Sequence, residues 1–375
     1  MSRFGNIGHR LYTGEVSFDF VGRRKLWVII SGAILVLAVL GLSVRGLNLG
    51  IEFKGGDIYT FPKGSITLNQ AQEAANKLTH DSSAVVQTQS GSRGDEITVQ
   101  ISSTEKIPAD KGQAGLAANL GIPQDKVSTQ FLSASWGHDI SQKAIYGLIA
   151  FMVLVTLYLA FAFEWRLAVG ALVALLHDLV ITVGVYALVG FEVTSGTIIG
   201  FLTILGYSLY DTVVVFDGLK TATNKITKQN RLTYSDAANA SLNSTLVRSI
   251  NTSVLALLPV AALLFIGGGL LGAGVLNDIS LALFIGLTAG AYSSICVATP
   301  MVAWLQEKRP EYLELARKVK QRKAADAKAL AEGRSVEDDE SAQDEVSIPA
   351  ASTGGPRNQP VNRSRSDRRA GGRRG

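Results

Sequence analysis

Apolar residues gather into six long blocks, at 26–45, 144–163, 167–189, 193–216, 250–271 and 279–304. Each is close to the ~20 residues a helix needs to cross the hydrocarbon of a bilayer, so six transmembrane helices are expected. The pattern changes between the first block and the second. Ile51, Phe53, Ile58 and Thr60 read as a strand interrupted at Gly55-Gly56, and Leu68, Ala71, Ala75 and Leu78 recur at helical spacing. Ala84–Thr88 and Glu96–Ile101 read as strands around a Gly91-Ser92-Arg93-Gly94 turn, followed by a helix over Asp110–Leu120 and a strand over Val127–Leu132. The order β-α-β-β-α-β is that of ferredoxin-like domains. The expected fold is a polytopic α-helical membrane protein with six transmembrane helices and one extracytoplasmic ferredoxin-like α/β domain, residues 46–142.

Charge orients these segments. Lys and Arg crowd the stretch before the first block, the loop Asp217–Ser249 and the chain after Trp304, whereas Gly190–Glu192 and Gly267–Asp278 contain none. By the positive-inside rule both termini are cytoplasmic and residues 46–142 lie outside. The first block has the basic flank of a signal peptide but lacks a small-x-small cleavage site, so it reads as an uncleaved anchor after a cytoplasmic stretch 1–25. The bundle proper, residues 143–304, is followed by a cytoplasmic helix at 305–332. Residues 333–375, with few large apolar side chains, read as a disordered basic tail. Its arginines suit anionic lipid headgroups, with RNA or the ribosome as a sharper alternative. Cys296 is the only cysteine, so no intrachain disulfide forms. It reads as a packing residue of the sixth block, since no catalytic partner surrounds it.

The candidate chemistry lies inside the spans. Asp211, in the fourth block, is a carboxylate whose insertion costs about 2.5–3.5 kcal/mol near a bilayer's centre, so it is expected to face a polar interior and handle protons. Arg248 stands just ahead of the fifth block, with Asn251 and Thr252 one turn on. The fourth span runs inward and the fifth outward, which sets Asp211 and Arg248 at matching depth. A desolvated carboxylate favours its proton and a nearby guanidinium disfavours it, so moving Arg248 relative to Asp211 would switch proton binding. A snorkelling interfacial cation is the alternative for Arg248. Tyr207 and Ser208, one turn before Asp211, can hydrogen-bond it or line a water path. His177-Asp178, halfway along the third span, reads first as a polar latch between helices and second as part of a proton path. No further His or Cys lies nearby at ligand spacing, which argues against metal. Gly196-x-x-x-Gly200 and Gly286-x-x-x-Gly290 fit close helix approach, and Pro259 a kink.

Several of these stretches together resemble the SecF members of the SecD/SecF protein-export family, within the resistance-nodulation-division superfamily. Leu49-Gly50-Ile51-Glu52-Phe53-Lys54-Gly55-Gly56 is similar to the family's Gly-Ile-Asp-Phe-x-Gly-Gly element. Gly206 to Asp217 resembles its fourth-span signature, and Arg248-Ser249-Ile250-Asn251-Thr252-Ser253 its Arg-Thr-x-x-Thr-Ser element; His177-Asp178 also fits. Tyr210 stands where the family often has Asn, and Ser133-Ala134-Ser135-Trp136-Gly137 replaces a common Gly-Pro-x-x-Gly. The resemblance covers about Tyr12 to Pro310. It implies a non-enzymatic subunit of the bacterial plasma membrane that pairs with SecD and assists the SecYEG channel. Such a subunit uses the proton-motive force to promote export of unfolded polypeptides, with protons as coupling ion and no other cofactor. It also implies Asp211 and Arg248 as the coupling residues. A drug or lipid efflux pump would carry both six-span halves, and an intramembrane protease would need a catalytic motif around Asp178 and Asp211 that is missing here.

Overall fold

The computed structural model describes residues 17–79, 84–91, 94–102, 108–270 and 274–331. Ser92 and Arg93 of the expected turn, Glu332 and the tail 333–375 lie outside the described residues. The chain divides after Lys323 into two compact units, and the described part of the second is only the end of the last helix.

The α/β domain occupies the stretch between the first two long helices. Helix α1 (Arg24–Arg45) leads into a two-residue strand β1 (Asn48–Leu49) and a single helical turn α2 (Ile51–Lys54). Then come β2 (Gly56–Pro62), α3 (Leu68–Thr79), β3 (Val85–Gly91), β4 (Gly94–Ser102), α4 (Ala109–Leu120) and β5 (Ser128–Leu132). The sheet order is β3-β4-β2-β5 with every pairing antiparallel, which is the ferredoxin-like topology. Its core face sets Tyr59, Phe61, Ile97, Val99 and Ile101 against Ala71, Ala75 and Leu116, all buried. Each large side chain in that set contributes about 1.5–3 kcal/mol by leaving water, which lets the domain hold together without a disulfide.

The residues expected to open a strand, Ile51 and Phe53, instead form α2. Gly50 is extended and Gly55 has φ 77°, a left-handed value open to glycine, where its N–H closes the turn on the Ile51 carbonyl. The stretch expected to be pleated at Ile51 and Phe53 is therefore coiled into a turn. A second unexpected feature is β1, which pairs in parallel with β6 (Glu192–Val193): Asn48 opposes Glu192 and Leu49 opposes Val193. Period counting cannot find two-residue strands.

Among the described residues, six helices are long and apolar enough to cross a membrane. After α1 these are α5 (Ala134–Ala162), α6 (Trp165–Val189), α7 (Ser195–Ala222), α8 (Tyr234–Ala262) and α9 (Gly274–Ser293). A π-helical segment (Leu263–Leu270) follows α8, which runs through Pro259; another (Ser294–Ala298) joins α9 to α10 (Thr299–Glu307), and α11 (Pro310–Ala331) ends the described chain. Several helices outrun the apolar blocks that predicted them. Helix α5 starts at Ala134, inside the stretch assigned to the outside domain, because Ser133 caps it by accepting the Trp136 N–H at 3.2 Å. Helix α8 starts at Tyr234, where Thr233 and Asp236 form a capping box, so Arg248 lies in mid-helix and not ahead of it. Hydropathy marks where a helix meets lipid, while caps mark where it ends.

Helices α6, α7 and α9 are the inner members of the bundle. Glycine sets close approaches: a Cβ on Gly286 of α9 would come within 2.2 Å of Ile204 of α7, and one on Gly184 of α6 within 2.2 Å of Ala38 of the outer helix α1. Helices α1, α5 and α8 expose apolar rows, including Val28, Ile29, Leu154, Phe161 and Leu255, in the manner of lipid-facing helices.

Candidate functional site

Helix α7 begins at a capping box between Thr194 and Thr197 and carries Tyr207, Ser208, Asp211 and Thr212 along its middle. Ser208, Asp211 and Thr212 are buried; Tyr207 and Tyr210 are exposed. The 3.6-residue period places Ser208 and Asp211 on one face, towards α8 and α9. Asp211 is 9% exposed, and its carboxyl faces the hydroxyls of Ser249 on α8 and Ser294 in the π-helical segment. Its Oδ2 is buried with no hydrogen-bond partner among the described residues, as is the Ser249 hydroxyl. Ser294 donates to the Gly290 carbonyl at 2.7 Å, so its hydrogen is directed away from Asp211. A cavity of about 30 Å³ touches Ser208, Asp211, Thr252 and Gly290, room for a water molecule.

Arg248 is exposed and makes no ion pair with Asp211 among the described residues. The helix register explains this. Gly218 of α7 faces Ser241 and Thr245 of α8, and Asp211 faces Ser249. Arg248 is therefore level with Asp211 but about 100° round α8 from the facing serine. Asn251 is exposed as well, and Thr252 returns its hydroxyl to the Arg248 carbonyl at 2.9 Å. The structure thus brings Asp211 together with Ser208 and Thr252 at this cavity, which the exposed Tyr207 and Tyr210 also border, and leaves Arg248 and Asn251 on exposed surface away from it.

His177 and Asp178 form a second centre on α6. Asp178 is fully buried; its Oδ2 accepts from Ser208 Oγ of α7 at 2.5 Å and Ser293 Oγ of α9 at 2.8 Å. His177 Nδ1 lies 3.3 Å from Asp178 Oδ1, and its ring stacks on Tyr292, whose hydroxyl meets Ser31 of α1 at 2.9 Å. One carboxylate therefore ties three helices. Ser293 and Ser294 had no signal in the sequence beyond being small polar residues in apolar helices, and Ser249 entered it only as a position in the Arg248–Ser253 element. Only the adjacency of Ser293 and Ser294 hinted at a polar turn.

At the other end of α7 the α/β domain meets the bundle. Glu52 of α2 accepts from the Ser195 N–H at 2.6 Å and from the Ser195 hydroxyl, a carboxylate at a helix N-terminus where N–H groups lack partners. The Gly50 N–H donates to the Val193 carbonyl at 2.9 Å, and Asp278 of α9 accepts from Thr194 Oγ1 at 2.9 Å. Burial raises the Glu192 carboxyl above its usual range; the Asp278 and Glu52 carboxylates push the same way, and Lys54 opposes them. Beside these groups a cavity of about 230 Å³ separates the open sheet face at Ile58, Gln100 and Gln130 from Glu192 and Thr194.

Comparison with known proteins gives the arrangement a context. Residues 116–308 match the C-terminal family of the protein export membrane proteins SecD and SecF, and residues 41–60 match the SecD/SecF GG motif. The protein translocase subunit SecF of Streptomyces coelicolor is 53% identical over 379 residues and covers 100% of both chains. That of Mycobacterium tuberculosis strain H37Rv is 39% identical over 360 residues, covering 91% of this chain and 80% of its own. Among solved structures, SecDF from Thermus thermophilus, a translocon-associated membrane protein, superposes with TM-score 0.64 at 28% identity over 78% of this chain. SecDF in its super-membrane-facing form gives 0.58 at 28% identity over 84%. The chain spans about two fifths of the length of these SecDF chains, 39% and 40%.

Proposed function

The chain belongs to the SecF family of protein translocase subunits, and from that premise we propose that it converts the proton-motive force into assistance for polypeptide export through SecYEG. The observation that carries this reading is Asp211: a buried intramembrane carboxyl with an unpartnered oxygen, beside a cavity with room for water, level with an exposed Arg248. Intramembrane ionisable groups are costly and mark ion or proton pathways.

The partner is SecD. The chain spans about two fifths of SecDF, and it leaves Arg248 and Asn251 exposed on a helix otherwise lined with Ile250, Val254 and Leu255. A guanidinium facing hydrocarbon is costly, and a second six-span half covering that face removes the cost. Proton entry, or a small rotation of α8 against this partner, brings Arg248 towards Asp211 or takes it away.

The experiment uses inverted vesicles containing SecYEG and the SecD-like subunit, with and without this chain. An uncoupler removes a component of export only when the chain is present, and a cysteine at Asn251 crosslinks to the SecD-like subunit. Equal uncoupler sensitivity without the chain, or capture of homodimers alone, rejects the reading.

Both termini are assigned to the cytoplasm of a bacterial plasma membrane on the Lys/Arg asymmetry. With Cys296→Ala as background, Ser128→Cys in β5 reacts with an impermeant thiol reagent in intact protoplasts, and Thr227→Cys in the α7–α8 loop does not. Labelling of both from outside overturns the orientation.

A further inference from the structure

We propose that Asp178 is a second proton-binding station, joined to Asp211 through the Ser208 hydroxyl. This inference rests on the proton-driven reading above and extends it to a residue outside the Asp211–Arg248 pair.

The geometry is a chain of exchangeable groups. Asp178 is 0% exposed and has Ser208 Oγ at 2.5 Å, so the serine is already a donor to the carboxylate. Ser208 stands one turn before Asp211 on the same face of α7, and both border the cavity of about 30 Å³. That cavity has room for one water, bordered by both residues. A proton on the Asp211 carboxyl passes to this water, which gives one to Ser208 as Ser208 yields its own to Asp178 Oδ2. Asp211 ends as the carboxylate and Asp178 as the acid; water and serine are unchanged, and no charge rests on either.

The surroundings of Asp178 suit a site that gains and loses charge. The polar groups facing it are His177 from its own helix, Ser208 from α7, and Ser293 with neighbouring Tyr292 from α9; the Asp211 carboxyl lies beyond Ser208. His177 is its only ion-pairing partner among the described residues, at 3.3 Å. With Nδ1 donating to Asp178, His177 is left with Nε2, a buried atom that has no hydrogen-bond partner among the described residues. A purely structural latch needs the two serine hydroxyls and gains nothing from an imidazole with an unsatisfied nitrogen. Gly290 allows the arrangement, since a Cβ there would meet Ser208 Cβ at 3.1 Å.

Asp178→Asn separates the two roles, because an amide oxygen still accepts from Ser208 and Ser293 but cannot bind a proton. The purified complex is titrated from alkaline to acidic buffer and followed by infrared difference spectroscopy in the carboxyl stretching region. Asp178→Asn removes a band that Asp211→Asn retains, and Ser208→Ala shifts that band by deleting its hydrogen bond. In vesicles, Asp178→Asn loses the uncoupler-sensitive component of export at normal protein level. An Asp178→Asn spectrum with every wild-type carboxyl band, or full uncoupler-sensitive export, reduces Asp178 to a latch and overturns the proposal. If the wild-type protein itself shows no uncoupler-sensitive export, the proton-driven reading fails, while the infrared bands still decide whether Asp178 titrates.

Discussion

Asp211→Asn leaves the protein in the membrane at its normal level and removes the uncoupler-sensitive part of export. Asparagine matches aspartate in size and polarity, and the pocket around Asp211, with the Ser249 and Ser294 hydroxyls facing it, accommodates an amide. The variant therefore tests charge and proton exchange, not packing. One elementary charge moved across 100 mV gains about 2.3 kcal/mol, enough to bias a conformational equilibrium about fifty-fold. An Asp211→Asn protein forfeits that bias while keeping every helix contact. Arg248→Met gives the same loss from the other side, because Asp211 then has no counter-charge to approach. The measurement is translocation into inverted vesicles with and without uncoupler, at matched protein levels. If Asp211→Asn keeps an uncoupler-sensitive component of wild-type size, Asp211 is only a structural hydrogen-bonding group.

Gly137→Leu detaches the α/β domain from the bundle. A Cβ at Gly137 would lie 2.5 Å from the Phe53 carbonyl oxygen and 2.8 Å from that of Glu52. Those atoms are backbone and cannot rotate away, so α2 must move as a unit. Overpacking of this kind costs about 1–3 kcal/mol, and more where backbone has to yield. Displacing α2 also pulls Glu52 from Ser195 and strains the β1–β6 pairing. Amide exchange at residues 50–56 and 193–195 therefore accelerates in Gly137→Leu. Gly147→Leu, on the same helix at a position with nothing within 4 Å, leaves exchange unchanged. Unaltered protection in Gly137→Leu would mean that α5 and α2 do not bear on one another in the membrane.

The spans and the α/β topology were legible because they are written in long periodic signals. Six apolar blocks each run to about the 20 residues that crossing a bilayer takes, and the ferredoxin-like order needs only the type of each element. The misses share a cause. Ile51 and Phe53 alternate over too few residues to tell a turn from a strand, and Gly55 decides between them through a left-handed backbone angle. Arg248 appeared to precede the fifth span because polar residues from Tyr234 onward hide a helix that its capping box starts early. Asp211 and Asp178 stood out since carboxylates are conspicuous among leucines. Their serine neighbours did not: a serine can return its hydroxyl to its own helix, as Ser253 does to the Ser249 carbonyl, and so costs little wherever it falls. Which serine serves a carboxylate is a matter of helix rotation, and rotation is not visible in hydropathy.

Helix α5 follows β5 without a linker, since Leu132 ends the strand and Ser133 caps the helix. Its 29 residues extend about 43 Å, against a hydrocarbon thickness of about 30 Å. The surplus is a stiff stem carrying the sheet beyond the bilayer surface. Leverage follows from length alone: pivoting about its far end by about ten degrees swings the near end of that stem by about 7.5 Å. That exceeds the 4.8 Å or so between neighbouring strands, so a small lean within the membrane is enough to slide the outer sheet by a whole strand position against whatever lies beside it.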